Sequence, residues 1–172
     1  LRNLRNFQKE GVDLDLVRKA LATVKMDRVL PFRFITAARY APQLEPELEA
    51  AMFRCLQGIP KLMGRTVLLV DVSQSMDAPL SRRAGGTPSE ATRMDAACGL
   101  AVLARELCED LAILTFSNQV VEIPPSRHGF ALRDKCLNSQ LHSGTRCGEA
   151  VAFANDLDYE RLIVITDEQS SD

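Results

Sequence analysis

The stretch Thr66-Val67-Leu68-Leu69-Val70-Asp71-Val72 constrains this chain more than any other part of it. A continuous apolar run rich in β-branched side chains is the pattern of a strand buried on both faces, as found where helices cover a mostly parallel sheet. The flanks agree with that reading: Gly58-Ile59-Pro60 and Gly64 punctuate the approach, and a polar loop with Gly85, Gly86 and Pro88 follows. Behind the loop a helix is expected from about Ser89 to Leu107. Its inward stripe, Met94, Ala97, Cys98, Ala101, Ala104 and Cys108, consists mainly of small side chains that let a helix lie close on a sheet. A second strand over Leu111 to Phe116 and a third over Val120 to Ile123 flank the turn Ser117-Asn118, a spacing short enough for an antiparallel hairpin. Helical stretches from about Ala131 to Leu137 and from Thr145 to Ala154, then a strand from Leu162 to Thr166, complete the order. The sequence β-α-β-β-α-α-β predicts an α/β fold, a doubly wound and mostly parallel sheet with helices on both faces and one antiparallel edge strand.

The first sixty residues follow a different period. Leu1, Leu4 and Phe7 recur at helical spacing up to Gly11, and Val12, Leu16, Val17, Ala20, Leu21 and Val24 continue it after Asp13 or Asp15 as cap. Leu30-Pro31 breaks the pattern and a short segment runs through Tyr40. Leu48, Ala51, Met52, Cys55, Leu56 and Ile59 then mark a further helix, so that residues 1–60 resemble stacked helix pairs of a solenoid and residues 61–172 form the α/β region.

Composition narrows the function classes. With 46% hydrophobic and 26% charged residues the chain is neither disordered nor a coiled coil, and no apolar run approaches the roughly 20 residues a bilayer requires. The 21 basic and 23 acidic side chains nearly cancel, but residues 1–60 carry a net +3 and residues 61–172 a net −5. Any attraction for phosphates is therefore expected in the first third. Five cysteines without a Cys-x-x-Cys pair argue against a disulfide framework or a zinc ribbon and for small buried thiols in a reducing, cytoplasmic setting. The chain opens at Leu1 in mid-pattern, and a longer protein is expected around it.

Open sheets of this kind bind ligands beyond the carboxyl ends of their strands. Three polar stretches are placed there: Asp71-Val72-Ser73-Gln74-Ser75 after the first strand, Ser143-Gly144-Thr145 at the start of a helix, and Asp167-Glu168 after the last strand. All the donors are oxygens, with no histidine or cysteine among them. Such a set suits Mg²⁺ or Mn²⁺ better than zinc or copper. Neutral hydroxyl ligands leave an ion with residual positive charge, which attracts an anionic oxygen such as a partner's carboxylate or a phosphate. The competing reading is structural: Ser73 and Ser75 cap the following helix and Asp71 caps a loop.

The pattern Asp71-x-Ser73-x-Ser75, Thr145 in a Ser-Gly-Thr turn, and Asp167 after an apolar strand resembles the metal-ion-dependent adhesion site of von Willebrand factor A domains. The resemblance implies that Ser73, Ser75 and Thr145 are direct or near-direct ligands and that Asp71 and Asp167 coordinate or orient them through water. The lead-in Asn3-Leu4-Arg5-Asn6-Phe7-Gln8-Lys9-Glu10-Gly11 and Val29-Leu30-Pro31-Phe32-Arg33-Phe34-Ile35-Thr36-Ala37-Ala38 is similar to the end of the TROVE module of Ro autoantigen-like proteins. This implies that residues 1–60 are the last helices of a HEAT-like repeat ring and residues 61–172 a von Willebrand A-like domain expected to continue further. It also implies a non-catalytic role in binding small non-coding Y-type RNA and misfolded RNA, alongside an exoribonuclease. On that reading Arg2, Arg5, Lys9, Arg18 and Lys19, with Lys25 and Arg28, contact phosphates; the alternative is a solvated basic face. Arg82 and Arg83 either approach an anion near the ion or are surface charge. Phe32 and Phe34 are expected to pack between the two regions, and His128 and His142 to be surface residues.

Two rival readings stay open. A strand-end Asp with Mg²⁺ can be a phosphotransfer nucleophile, but such enzymes carry Asp-x-Asp-x-Thr/Val, and Ser73 stands where the second carboxylate belongs. No Gly-x4-Gly-Lys-Ser/Thr phosphate loop is present. The other is a von Willebrand A module of an adhesion or chelatase assembly, which has no need of the helical lead-in.

Overall fold

The computed structural model describes residues 1, 3–26, 29–81, 91–169 and 172. Its centre is β1 (Leu62–Asp71), flanked by β2 (Cys108–Phe116) and β4 (Arg161–Ile165), both parallel to it, with β3 (Val120–Ile123) antiparallel to β2. The order β3-β2-β1-β4 makes a four-stranded, mostly parallel sheet with the antiparallel strand at an edge, as the sequence order predicts. Asp71 pairs with Phe116 and Val70 with Ile165. The three parallel strands therefore end together, and Val72, Ser117 and Thr166 step off the same rim.

Side-chain alternation along β1 divides the core. Leu68 and Val70 join Ile113 and Ile123 against α5 (Arg93–Leu107) and α6 (Gly129–Leu137), through Met94, Ala97, Cys98, Ala101, Val102, Leu132 and Cys136. Val67 and Leu69, with Leu114 and Phe116, turn to the opposite face, where Ala150 and Ala154 of α7 (Cys147–Asn155) cover them. Helices thus lie on both faces.

The first cluster does not stop at α5. It continues into Leu4, Val17, Leu21, Phe34, Ile35, Leu48 and Met52, contributed by α1 (Leu4–Lys9), α2 (Leu14–Thr23), α3 (Pro31–Tyr40) and α4 (Glu45–Arg54). Helix α3 comes closest to α5 at Gly99, where an added Cβ would stand 2.8 Å from the backbone nitrogen of Phe32. Phe34 is fully buried, in accord with a packing role. Polar ties reinforce the contact. Arg39 of α3 pairs with Asp95 of α5 at 2.6 Å, the Glu49 carboxylate accepts from the Phe130 backbone N–H at 2.6 Å, and Arg133 reaches Glu45 at 3.4 Å.

The segment after the Leu30-Pro31 break is a ten-residue helix, as stacked helices over residues 1–60 require, and Pro31 at its first position has no N–H to lose and is preset for helical φ. Of the two cap candidates for α2 it is Asp13 that serves, accepting from the Asp15 N–H at 2.9 Å. Other expectations need correction. Leu16 and Val24 are exposed because α2 buries the face that carries Val17 and Leu21, with Leu14 packed beside them, and Val24 is already extended. Helix α4 ends at Arg54, which leaves Ile59 outside its stripe and exposed. The helix expected from Ser89 begins at Arg93, since Thr92 caps it: Thr92 Oγ1 accepts from the Asp95 N–H at 3.1 Å and the Asp95 carboxylate accepts from the Thr92 N–H at 2.9 Å. Ser89 itself lies outside the described residues. Cys108 is the first residue of β2 and not part of the helix stripe, because α5 runs into the strand without a loop. The last strand ends at Ile165, one residue before Thr166, and α7 starts at Cys147, two residues after Thr145.

Candidate metal centre

At the end of β1 the Asp71 carboxylate is fully buried, and both its oxygens are engaged. Oδ1 accepts from the Ser73 N–H at 2.8 Å and Oδ2 from Thr166 Oγ1 at 2.7 Å. The first bond is an Asx-type turn that bends the chain off the strand and brings Ser73 and Ser75 side by side. Ser73 Oγ and Ser75 Oγ lie 3.0 Å apart, and Ser75 Oγ donates to Asp167 Oδ1 at 3.1 Å. Arg93 Nη1 donates to the other oxygen, Asp167 Oδ2. Ser73 opens a short 3-10 turn, Gln74–Asp77, yet its side chain makes no cap bond there. The capping alternative therefore holds for Asp71, as a loop cap, and not for Ser73.

Thr145 reaches the same place from the far side. It is buried, and a cavity of about 440 Å³ is lined by Gln74, Ser75, Ser143, Gly144, Thr145 and Gln169. The Ser-Gly-Thr loop is fixed by the β2–β3 turn. Ser117 Oγ donates to the Gly144 carbonyl at 2.8 Å and accepts from the Ser143 N–H at 3.0 Å. The Asn118 side-chain Oδ1 accepts from the Gly144 N–H at 3.0 Å, and the Arg146 N–H donates to the Ser117 backbone carbonyl at 3.0 Å. Three separated stretches thus converge: Asp71, Ser73, Ser75 and Asp167 form one hydrogen-bonded series, and Ser75 shares a cavity wall with Thr145.

The donor chemistry is uniform, two carboxylates and three hydroxyls. Among the described residues no group of three His, Cys, Asp or Glu side chains is arranged to hold a metal, so any ion here would have to rely on the hydroxyls. Each carboxylate oxygen accepts only one of the hydrogen bonds above and has a second lone pair to offer. Such donors fit a hard, oxygen-seeking divalent cation. Sequence reasoning missed Arg93, Ser117, Asn118 and Thr166 as parts of the site. For Ser117 and Asn118 a signal existed, because polar residues in a hairpin turn at the carboxyl rim face whatever loop arrives there; Arg93 meets Asp167 across 74 positions, and no local pattern announces it.

The basic candidates are placed less tightly. Lys9 and Lys19 are exposed, on α1 and α2. Arg18 is occupied, donating to Asp15 and to Glu47 at 3.0 Å each. Arg2, Arg28, Arg82, Arg83 and the Arg5 side chain lie outside the described residues. His128 pairs with Glu106 at 2.7 Å on the surface, and His142 donates to the Leu137 carbonyl at 2.8 Å, half-buried. Among the described residues no helix is long and apolar enough to cross a membrane.

No family model matches the chain, and no curated protein matches it. Among solved structures it is similar to the crystal structure of the Deinococcus radiodurans Ro (RSR) protein, with 22% sequence identity and a TM-score of 0.65. The match covers 98% of this chain, helices and sheet alike, and 39% of that one, so the chain spans about two fifths of the length of the protein it resembles.

Proposed function

We propose that the chain is part of a Ro-like, non-catalytic RNA-binding ribonucleoprotein component, with residues 1–60 as the closing helices of a HEAT-like TROVE ring and residues 61–172 as a von Willebrand A-like domain. The observation that carries the reading is the hydrogen-bonded series Asp71, Ser73, Ser75 and Asp167 beside Thr145, at the rim of a sheet whose fold is similar to the Ro protein's over 98% of the chain. In this reading Ser73, Ser75 and Thr145 hold Mg²⁺ (or Mn²⁺) as an adhesion-type site, while Asp71 and Asp167 orient the hydroxyls and balance the charge. The ion supplies a Lewis-acidic position that attracts an acidic ligand, a carboxylate or phosphate oxygen. Lys9 and Lys19, with Arg2 and Arg5, contact the phosphates of a small non-coding Y-type RNA or a misfolded RNA end. An exoribonuclease is the partner this role calls for, and the cytoplasm its setting.

The second reading is a Mg²⁺-dependent protein-adhesion or chelatase-associated module without RNA function. The double engagement of Arg18 by Asp15 and Glu47 favours it, because it removes one cation from the phosphate surface. Electrophoretic binding of a structured RNA with a single-stranded tail separates the two. A salt-sensitive shift supports the ribonucleoprotein reading, and an RNA that is ignored at low salt supports the module.

A further inference from the structure

Asp167 has a partner that ion binding does not require. Arg93, the first residue of α5, is fixed at its base by its backbone N–H, which donates to the Ala78 carbonyl at 2.9 Å. From there Nη1 reaches Asp167 Oδ2, on the opposite carboxylate oxygen from Ser75. The Asp167 side chain is 7% exposed and that of Arg93 36%, so a nearly enclosed carboxylate is met by a guanidinium that comes in from solvent. The Asp71 oxygens, by contrast, are met by neutral donors, Ser73 N–H and Thr166 Oγ1. Among the described residues Arg93 is thus the cation paired with Asp167, and without it Asp167 would carry an unpaired charge away from water, which is costly.

On the metal reading above, we propose that Arg93 is a built-in counter-cation of the centre, holding Asp167 while no divalent ion is present and lowering the affinity of the site for one. Two carboxylates and one guanidinium leave a single net negative charge. A divalent ion turns that into a net positive charge if Arg93 stays, and into neutrality if it swings away. Its unbranched stem and partial exposure permit the swing, whereas the backbone bond to Ala78 keeps its base in place. Arg93 does not line the cavity that Ser75 and Thr145 share, so it acts through the charge on Asp167 and not by blocking entry. The outcome is a site whose ion affinity is tuned downward by an internal competitor.

Calorimetric titration of the whole chain with MgCl₂, and separately with MnCl₂, tests this on the wild type, Arg93→Gln, Arg93→Lys and Asp71→Ala. Arg93→Gln is expected to bind on the order of tenfold more tightly because a repelling charge near the ion is gone, with Arg93→Lys close to the wild type. Unchanged or weaker binding in Arg93→Gln overturns the proposal. A second measurement uses only the wild type: addition of MgCl₂ should shift the NMR signal of the Arg93 Nε–H, and a signal that stays put while the ion binds overturns the proposal without any variant having to fold. If Asp71→Ala loses the ion while Arg93→Gln matches the wild type, the role of Arg93 falls and the metal site stands. No uptake of either ion by the wild type overturns both.

Discussion

The two ends of α5 handle buried polar groups in opposite ways. At its N-terminus, at the carboxyl rim of the sheet, Asp95 is tied to Thr92 and to Arg39, and Arg93 to Asp167. At its C-terminus Arg105 is buried with one bond, from Nη1 to the Leu111 carbonyl at 2.8 Å, while its Nε and Nη2 have no partner among the described residues. Thiols surround that end. Burial pushes the Cys136 thiol up to about 12, with Arg105 pulling it partly back, and Cys108 also lies close enough to act on Arg105. Burial likewise lowers the pKa of Arg105. The rim ties its polar groups to one another, and the proposed ion would exchange for those ties; the far end buries them against apolar packing.

The sharpest way to break this contrast is Asp95→Ala, which removes half of the capping box and the buried partner of Arg39. A loss of about 1–3 kcal/mol is expected in urea unfolding, with a smaller loss for Asp95→Asn, which can still accept from the Thr92 N–H. Equal stability of both variants and the wild type would mean that the rim is not held by this network.

At the far end the expected effect is a pH dependence. A thiol whose folded pKa lies above its unfolded value contributes stability that is intact below about pH 9 and is lost as pH rises toward about 12. For Cys136 the slope approaches about 1.4 kcal/mol per pH unit inside that window, and Cys136→Ala should flatten it. Urea midpoints at pH 8 and pH 10.5 for both proteins check this; parallel behaviour would contradict it.

Arg105→Met should change stability by less than about 1 kcal/mol, since an apolar chain of similar shape replaces an incompletely bonded guanidinium. A much larger loss would place an essential interaction at Arg105. Smallest of all, Lys9→Ala and Lys19→Ala should leave stability within about 0.5 kcal/mol yet each lower the salt slope of RNA binding by about 1. Arg18→Ala should leave the slope as it is, because Asp15 and Glu47 already neutralise that cation. A filter-binding series over salt concentration distinguishes the two groups.

Legibility in the sequence followed the range of the forces involved. The Val67–Val70 run, the Ser117-Asn118 turn and the bounds of β3 were readable because alternation, β-branching and turn chemistry act within a few residues. The oxygen donors were readable for the same reason: Asp71, Ser73 and Ser75 sit at one strand end, and parallel strands deliver Asp167 to the same rim. The solvent-facing side of the first helices was not, because Leu16 and Val24 continue a helical period that tertiary packing then ignores. The start of α5 slipped because a cap decided it, at Thr92. What lay out of reach was long-range pairing. Arg93 with Asp167, Arg39 with Asp95, and Ser117 with Gly144 join residues whose positions in the chain carry no mutual signal.

The central claim is that oxygen donors from three separated stretches hold one hard divalent ion. Calorimetric titration of the whole chain with MgCl₂, run beside Thr145→Ala, tests it most directly, because Thr145 comes from a stretch far in sequence from Asp71 and Asp167 and its loss removes a proposed ligand without removing a charge. Saturable binding by the wild type that is lost or greatly weakened in a folded Thr145→Ala is the predicted result. Identical isotherms for the two proteins would contradict the site.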